Sequence, residues 1–490
     1  MSSHIVTAIA WPEAGSIRHS RLPPGPSPLP LLGNILDFPR KHLGREFAAL
    51  AKTYGDVMYL SLLGRDVVVL GSLTAARDLL DKRSANYSDR PTLVMAELVD
   101  FGWLTALMNY GPRWRAHRRA MHLAMAPETA LQYAGTQADA AHRFVADLLR
   151  EPQDLAAYIK RAVTATTIGA IYGISDSARE DSEDEDGSER YHKVLERMAE
   201  VGEAILLPGN FAIEAFPVLR HLPAWFPGGA FKRWAEEARR DIAYGVDYLF
   251  AGAKAATGDS ATRSVVARIL QHSESQEDST LPGTGHDVEK MCKEVAATLY
   301  FSAADALTVE MEAFFMAMTL YPEAQKRAQQ ELDTVVGTAR LPESADRSSL
   351  PYVNALVKEL LRWHPPTPLG LAHRAVADDE YNGYRIPGGA TVFVNMWAIL
   401  RDPEVYHQPD DFMPERFLDS AGNLDFHGRD PADVMFGFGR RVCPGQHFAE
   451  STLFLLCASI LSAFEIGPPV GEDGAPVEVK WEATDHLVVS

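Results

Sequence analysis

Cysteine is scarce. Cys292, Cys443 and Cys457 are the three in 490 residues, too few for a disulfide framework and consistent with a reducing compartment such as the cytosol or a cytosol-facing surface. Positive charge is also in deficit: 47 Lys and Arg stand against 66 Asp and Glu, a formal charge of −19. Such a surface repels a phosphate backbone, which argues against nucleic acid as a partner. Long apolar runs are missing near the start. Residues 1–21 hold one short apolar stretch, Ile5 to Trp11, far below the roughly 18 to 20 residues that cross a bilayer, and no basic segment precedes it. Neither a membrane anchor nor a signal peptide is expected there.

What is present begins with a core-forming composition, 46% hydrophobic. Leu22 to Asn34 is proline-rich, a stiff, non-helical connector. Beyond it, helical periodicity predominates, and amphipathic helices are predicted over 44–54, 73–82, 111–123, 130–150, 153–171, 187–206, 230–256, 286–320, 322–336, 352–363 and 447–464. Strand patterns are fewer: 57–63 and 66–70 around a turn at Gly64, then 384–387 and 391–395 on either side of Gly388 and Gly389. The expected class is mainly α with small β-sheets, α+β. Asp176 to Glu189 and Ser273 to Gly285 are dense in polar residues and are expected to be solvated loops rather than metal sites.

The strongest chemical signal is Phe436-Gly437-Phe438-Gly439-Arg440-Arg441-Val442-Cys443-Pro444-Gly445, just before a helical pattern. The glycines let backbone adopt positive φ and pass close to a flat group. Cys443 stands where amides and the positive end of a helix dipole favour thiolate. Zinc would want more ligands than one, and Cys292 and Cys457 sit inside helical patterns as small buried hydrophobes.

This segment resembles the cytochrome P450 pattern Phe-x-x-Gly-x-Arg-x-Cys-x-Gly at every specified position, and the resemblance extends over nearly the whole chain, to the eukaryotic microsomal, fungal-like type. It implies the cytochrome P450 fold, with haem b held between a long central helix and the helix after Cys443. It implies Cys443 as the proximal iron ligand, Phe436 packed beside it and Arg441 on a haem propionate. Glu359 and Arg362, one helical turn apart, would form a bracing cluster with Arg416. Trp114 and Arg118, four apart on one helix face, would hold a propionate, assisted by His373. Residues 1–34 would be an N-terminal segment and hinge, and 35–490 a single catalytic domain.

One stretch departs from the family. In Phe301-Ser302-Ala303-Ala304-Asp305-Ala306-Leu307-Thr308 the acid is kept as Asp305, but Ala306 stands where threonine is usual. Thr308 is roughly 200° further around the helix and cannot replace it. Water or a substrate hydroxyl relaying protons from Asp305, a contribution from Ser302, or unconventional activation of dioxygen all remain open.

The resemblance implies a monooxygenase acting on a hydrophobic small molecule with O2 and electrons from an NADPH-cytochrome P450 reductase. That reductase would dock near the arginines Arg113, Arg115, Arg118 and Arg119. A monomer with peripheral contact to the endoplasmic reticulum membrane is expected. A haem-thiolate isomerase or dehydratase, a peroxygenase-like enzyme, and a non-enzymatic haem-binding sensor are the other readings. The pocket is expected to be lined from 93–108, 206–216, 299–306, 367–371 and 484–487.

Overall fold

A computed structural model describes residues 21–174, 185–206, 210–275, 285–426, 429–471 and 475–479. The chain enters through helix α1 (Leu43–Tyr54) and the hairpin β1 (Val57–Leu62) and β2 (Arg65–Leu70), whose turn uses Gly64 at φ +80°. The helices that follow are α2 (Val94–Leu98), α3 (Pro112–Met125), α4 (Ala134–Arg150), α5 (Leu155–Tyr172), α6 (Glu185–Leu206), α7 (Ala212–Ala215), α8 (Ala230–Ala255) and α9 (Val265–Ser275). The central helix α10 (Gly285–Leu320) spans 36 residues, and α11 (Pro322–Val335) and α12 (Pro351–Trp363) succeed it. Proline sits in the first turn of α3, α11 and α12, where its missing N–H costs nothing.

Four short strands come next: β3 (His373–Arg374), β4 (Asp379–Tyr381), β5 (Tyr384–Ile386) and β6 (Thr391–Val394). One sheet has the order β1-β2-β6-β3, with β2 and β6 parallel, and the other pairs β4 with β5. The two segments flanking Gly388 therefore belong to different sheets. The β4–β5 hairpin turns through Asn382 and Gly383, both at positive φ, a pair suited to a tight turn. The chain ends its helical part with α13 (Ala432–Met435) and α14 (Gln446–Ala463).

The main core gathers around α10, which packs against α5, α9 and α14; its buried side chains include Val295, Leu299, Met311 and Phe314. Some predicted elements differ in detail. The helix expected over 73–82 runs as α-helix only to Ala76 and widens into a π-helical stretch, Arg77–Lys82. Leu80 in that stretch meets Gly439, so the irregularity lies where the cysteine loop crosses. The expected 130–150 helix is interrupted by a 3-10 turn at Leu131–Tyr133. Helix α6 begins at Glu185 and α9 extends to Ser275, inside stretches expected to be loops, while 175–184 and 276–284 lie outside the described residues. Helices α2, α7, α9 and α13 were not expected, and of these α2, α7 and α13 are only 5, 4 and 4 residues long.

Glu310 is buried in α10 with no partner for either carboxyl oxygen among the described residues, and burial pushes its pKa well above the usual value. The folded state thus holds this proton more tightly than the unfolded one, so its destabilising effect grows as pH rises above the unfolded value near ~4.3. Glu310→Leu is expected to raise stability by about 1–3 kcal/mol at pH near 8 and by less near pH 5. Denaturant unfolding at the two pH values measures it, and a loss of stability at both would contradict the reading.

Candidate functional site

Cys443 lies between a 3-10 turn, Gly439–Arg441, and the start of α14. Its amide donates to the Phe436 carbonyl at 2.7 Å, which closes the loop. Gly437 and Gly439 hold φ of +79° and +57°. A Cβ on Gly439 would stand 2.1 Å from the Leu80 carbonyl oxygen, so no other residue fits there. Gly445 differs from the expectation: at φ −89° its backbone suits any residue, and its amide instead donates to the Cys443 sulfur.

The sulfur's setting joins two properties that rarely coincide. Cys443 is exposed by surface area, yet desolvation raises its thiol pKa, with the Gly445 amide and the Arg118 guanidinium pulling the other way. Accessible and desolvated at once, the sulfur faces an enclosed space rather than bulk water. The helix start that was expected to favour thiolate is outweighed by burial, which favours the thiol, and a coordinated cation would tip the sulfur back to thiolate.

A chain of cations continues from the sulfur. The Arg118 guanidinium lies close enough to feel Cys443, and burial lowers its pKa. Burial pushes Arg441 down to about 10, with Asp89 opposing and Arg118 reinforcing the shift. Arg441 stacks over the buried Trp114 ring at 4.6 Å and donates to the carbonyls of Ser88, Thr105 and Met108. His373 is buried beside it, with Nδ1 2.7 Å from the Tyr87 carbonyl oxygen, so Nδ1 carries the proton. Burial and then the nearby Arg90 hold its pKa well below the usual value. Arg90 was not foreseen: burial and Arg441 push it down to about 9, and it donates to the carbonyls of Ala106, Leu371 and Ala372. Its signal in the sequence was only an Arg-Pro pair after a polar turn.

Three guanidiniums thus share a low-dielectric region in which the opposing carboxylate, Asp89, is already paired with Arg374 at 2.5 Å. An interior with this excess of positive charge is suited to an anion carrying more than one charge. Haem b, with an iron for Cys443 and two propionates for the cations, fits the residues present.

The structure brings Glu359, Arg362 and Arg416 together, Glu359 and Arg362 fully buried and Arg416 part-buried. Glu359 and Arg362 are both 0% exposed and meet in a bidentate pair at 2.7 and 2.8 Å. Arg416 Nε donates to the same carboxylate at 3.0 Å, and the Met413 amide at 2.7 Å. The remaining Arg362 donors reach the carbonyls of Leu400, Pro409 and Asp411. A second cluster, missed in the sequence, stands beside it. Lys358 donates to Asp430 and Glu450, and Asp430 accepts from the Ala432 amide at the start of α13, the helix leading into Phe436.

On α10 the mid-helix residues Ser302 and Asp305 are exposed although the helix runs through the core, so they border internal space. Burial and Glu203 raise the Asp305 pKa while Lys160 opposes them. Ser302 donates to the Thr298 carbonyl at 2.8 Å, and Thr308 is tied to the Ala304 carbonyl at 2.9 Å, turned to its own helix. Phe301 joins an aromatic cluster with Phe101 at 5.8 Å and Trp103 at 6.2 Å. Of the expected pocket segments, 484–487 and 207–209 lie outside the described residues.

The family described as Cytochrome P450 matches residues 23–485. Among curated relatives, the cytochrome P450 monooxygenase COX1 of Coprinopsis cinerea is 37% identical over 481 residues, covering 96% of this chain and 89% of its own. The cytochrome P450 monooxygenase ple1 of Rhodocybe pseudopiperita is 38% identical, covering 98% and 89%. The cytochrome P450 monooxygenase claR of Ampulloclitocybe clavipes is 37% identical, covering 94% and 83%.

Glu359→Ala would leave two guanidiniums, one of them fully buried, without their carboxylate. The expected loss is about 3–5 kcal/mol, read as a shift in the unfolding midpoint, and a loss below about 1 kcal/mol would contradict the assignment of this carboxylate as the hub.

Proposed function

Because the chain belongs to the cytochrome P450 family of haem-thiolate monooxygenases, we propose that it inserts one atom of O2 into a hydrophobic small organic substrate, with electrons from an NADPH-cytochrome P450 reductase. The observation that carries this reading is the Cys443 sulfur, accessible yet desolvated beside buried guanidiniums. Cys443 would hold haem b there, and the group would supply dioxygen activation, with the thiolate's electron density favouring O–O cleavage.

The chain's own residues take the following parts. Cys443 is the iron ligand, and Phe436, Gly437, Gly439 and Gly445 shape its loop. Arg441, Arg118 and Trp114 hold the propionates, with Arg90 as a further cation; His373, neutral with its proton on Nδ1, would assist them by taking up a second proton on Nε2. Glu359, Arg362 and Arg416 brace the loop from behind. Asp305, with its raised pKa, holds a proton closer to neutral pH than an ordinary carboxyl and passes it through ordered water. Ala306 leaves the space of the usual hydroxyl to that water, and Ser302, one turn earlier on the same helix face, offers an alcohol, whereas Thr308 is tied to the Ala304 carbonyl.

Aromatic and aliphatic side chains from 101–104 and 299–304 border the pocket face of α10, which supports a hydrophobic substrate. Residues 35–490 are read as one catalytic domain acting as a monomer. For the reductase, the basic face of α3 is narrower than the four arginines imply: Arg113 turns to Glu294 and Arg118 to Cys443. Arg113 remains exposed beside its carboxylate, as do Arg115 and Arg119, and Arg440 joins Arg115 against the Tyr110 ring. Among the described residues no helix is long and apolar enough to cross a membrane. Trp225 at 79% exposure, with Val218, Phe216 and Phe226 near it in sequence, supports peripheral contact with the endoplasmic reticulum membrane. The reading that competes, a haem-thiolate isomerase or dehydratase, is favoured by Ala306, and substrate-dependent NADPH consumption with reductase present would reject it.

Asp305→Asn is expected to lower product formed per electron consumed on the order of ten-fold, measured with reductase, NADPH and a turned-over substrate; an unchanged ratio would remove Asp305 from proton delivery. Ala306→Thr is expected to change the same ratio, and no change would make this position one of packing alone.

A further inference from the structure

Beside the pocket face of α10 stands a polar cluster that the functions above leave unused. His117, on the buried side of α3, has Nε2 3.1 Å from the Glu294 carboxylate and Nδ1 2.8 Å from the Thr105 hydroxyl. Carboxylate, imidazole and hydroxyl thus stand in line. Thr105 is in turn linked to Thr298: the Thr105 amide donates to the Thr298 hydroxyl at 3.2 Å, and that hydroxyl, which donates to the Glu294 carbonyl at 2.8 Å, lies 3.5 Å from the Thr105 hydroxyl and reaches it by rotation. His117, Thr105, Glu294 and Thr298 are all buried. At the outer end, Glu294 meets the half-exposed Arg113 at 2.8 Å. Burial raises the Glu294 pKa, but the bonds from His117 and Arg113 outweigh it and hold the carboxyl below its usual value.

Helix geometry extends the cluster toward the pocket. Glu294, Thr298, Ser302 and Ala306 recur every four residues, so each is offset from the last by about 40° and they form one slowly winding ridge. That ridge leads from the cluster to the position where the family carries threonine. The Ser302 hydroxyl donates to the Thr298 carbonyl at 2.8 Å and its residue is exposed, one helical turn on from Thr298.

We propose that Glu294, His117, Thr105 and Thr298 form a proton relay joining solvent beside Arg113 to the pocket face at Ser302. It rests on the haem-thiolate reading of that pocket. Outward, a proton from the pocket passes through Ser302 and a bridging water to the Thr298 hydroxyl, which gives its own to Thr105. Thr105 gives its own to His117 Nδ1, the Nε2 proton moves to the Glu294 carboxylate, and Glu294 releases it to water beside Arg113. One proton crosses, each O–H or N–H broken is matched by one formed, and no charge stays behind; inward delivery is the reverse. The relay supplies by a second route what the missing hydroxyl at 306 supplies elsewhere in the family.

Ligand binding reads this without turnover. Cyanide arrives as HCN and binds ferric iron as the anion, so a proton must leave the pocket with each ligand bound, whereas carbon monoxide binds ferrous iron with no proton change. In stopped-flow measurements on the haem-loaded chain, cyanide association is expected to slow in D2O. Thr298→Val and Glu294→Gln should each slow it on the order of ten-fold and remove the isotope effect, with carbon monoxide association unchanged. No isotope effect in the unaltered protein overturns the relay, as do unchanged cyanide rates in both variants or equal slowing of both ligands. The reduced carbonyl spectrum of the same samples separates the two claims: with a thiolate-type spectrum and unmoved cyanide rates the relay alone fails, and without that spectrum the haem-thiolate reading fails with it.

Discussion

A desolvated sulfur does not hold a negative charge unaided. At Cys443 the surrounding protein removes water's stabilisation, and one amide and one guanidinium return only part of it. The loop therefore presents a sulfur that becomes a thiolate when a metal cation is bound to it. The neighbouring guanidiniums state the complementary need, positive charge in a region short of carboxylates. A cofactor with a cation at its centre and anions at its rim meets both needs at once, and this complementarity organises the rest of the site.

Holding such a loop open requires stiffness behind it. Glu359, accepting from Arg362, Arg416 and the Met413 amide together, would supply it, while the other Arg362 donors reach carbonyls of the segment before the loop. Lys358, one residue earlier, ties Asp430 and Glu450, so one turn of α12 anchors both the approach to Cys443 and the helix after it. Buried ion pairs add little net stability against their desolvation but strongly penalise any arrangement that breaks them, which suits a loop that has to stay in one shape.

Much of this was legible in the sequence. The helix pattern, the cysteine loop and the Glu359, Arg362, Arg416 cluster could be read from spacing and resemblance, because period and motif carry them. Arg90 could not, since its surroundings come from segments hundreds of residues apart. The thiol's raised pKa was missed for a similar reason: a helix start is visible in sequence, but desolvation by the whole fold is not. Nor could sequence separate Arg113 and Arg118 from their neighbours in the basic stretch, because the partners that claim them, Glu294 and the Cys443 region, lie far along the chain. The π-helical turn at Arg77–Lys82 reads as ordinary helix until Gly439 is seen against Leu80.

The central claim is that Cys443, as thiolate, is the protein ligand of haem iron, and the reduced carbonyl absorption spectrum of the purified chain tests it most directly. The account predicts the spectrum of thiolate-ligated iron, changed by Cys443→His to that of an imidazole-ligated iron. A colourless protein after haem-replete expression, or an imidazole-type spectrum from the unaltered chain, would contradict it.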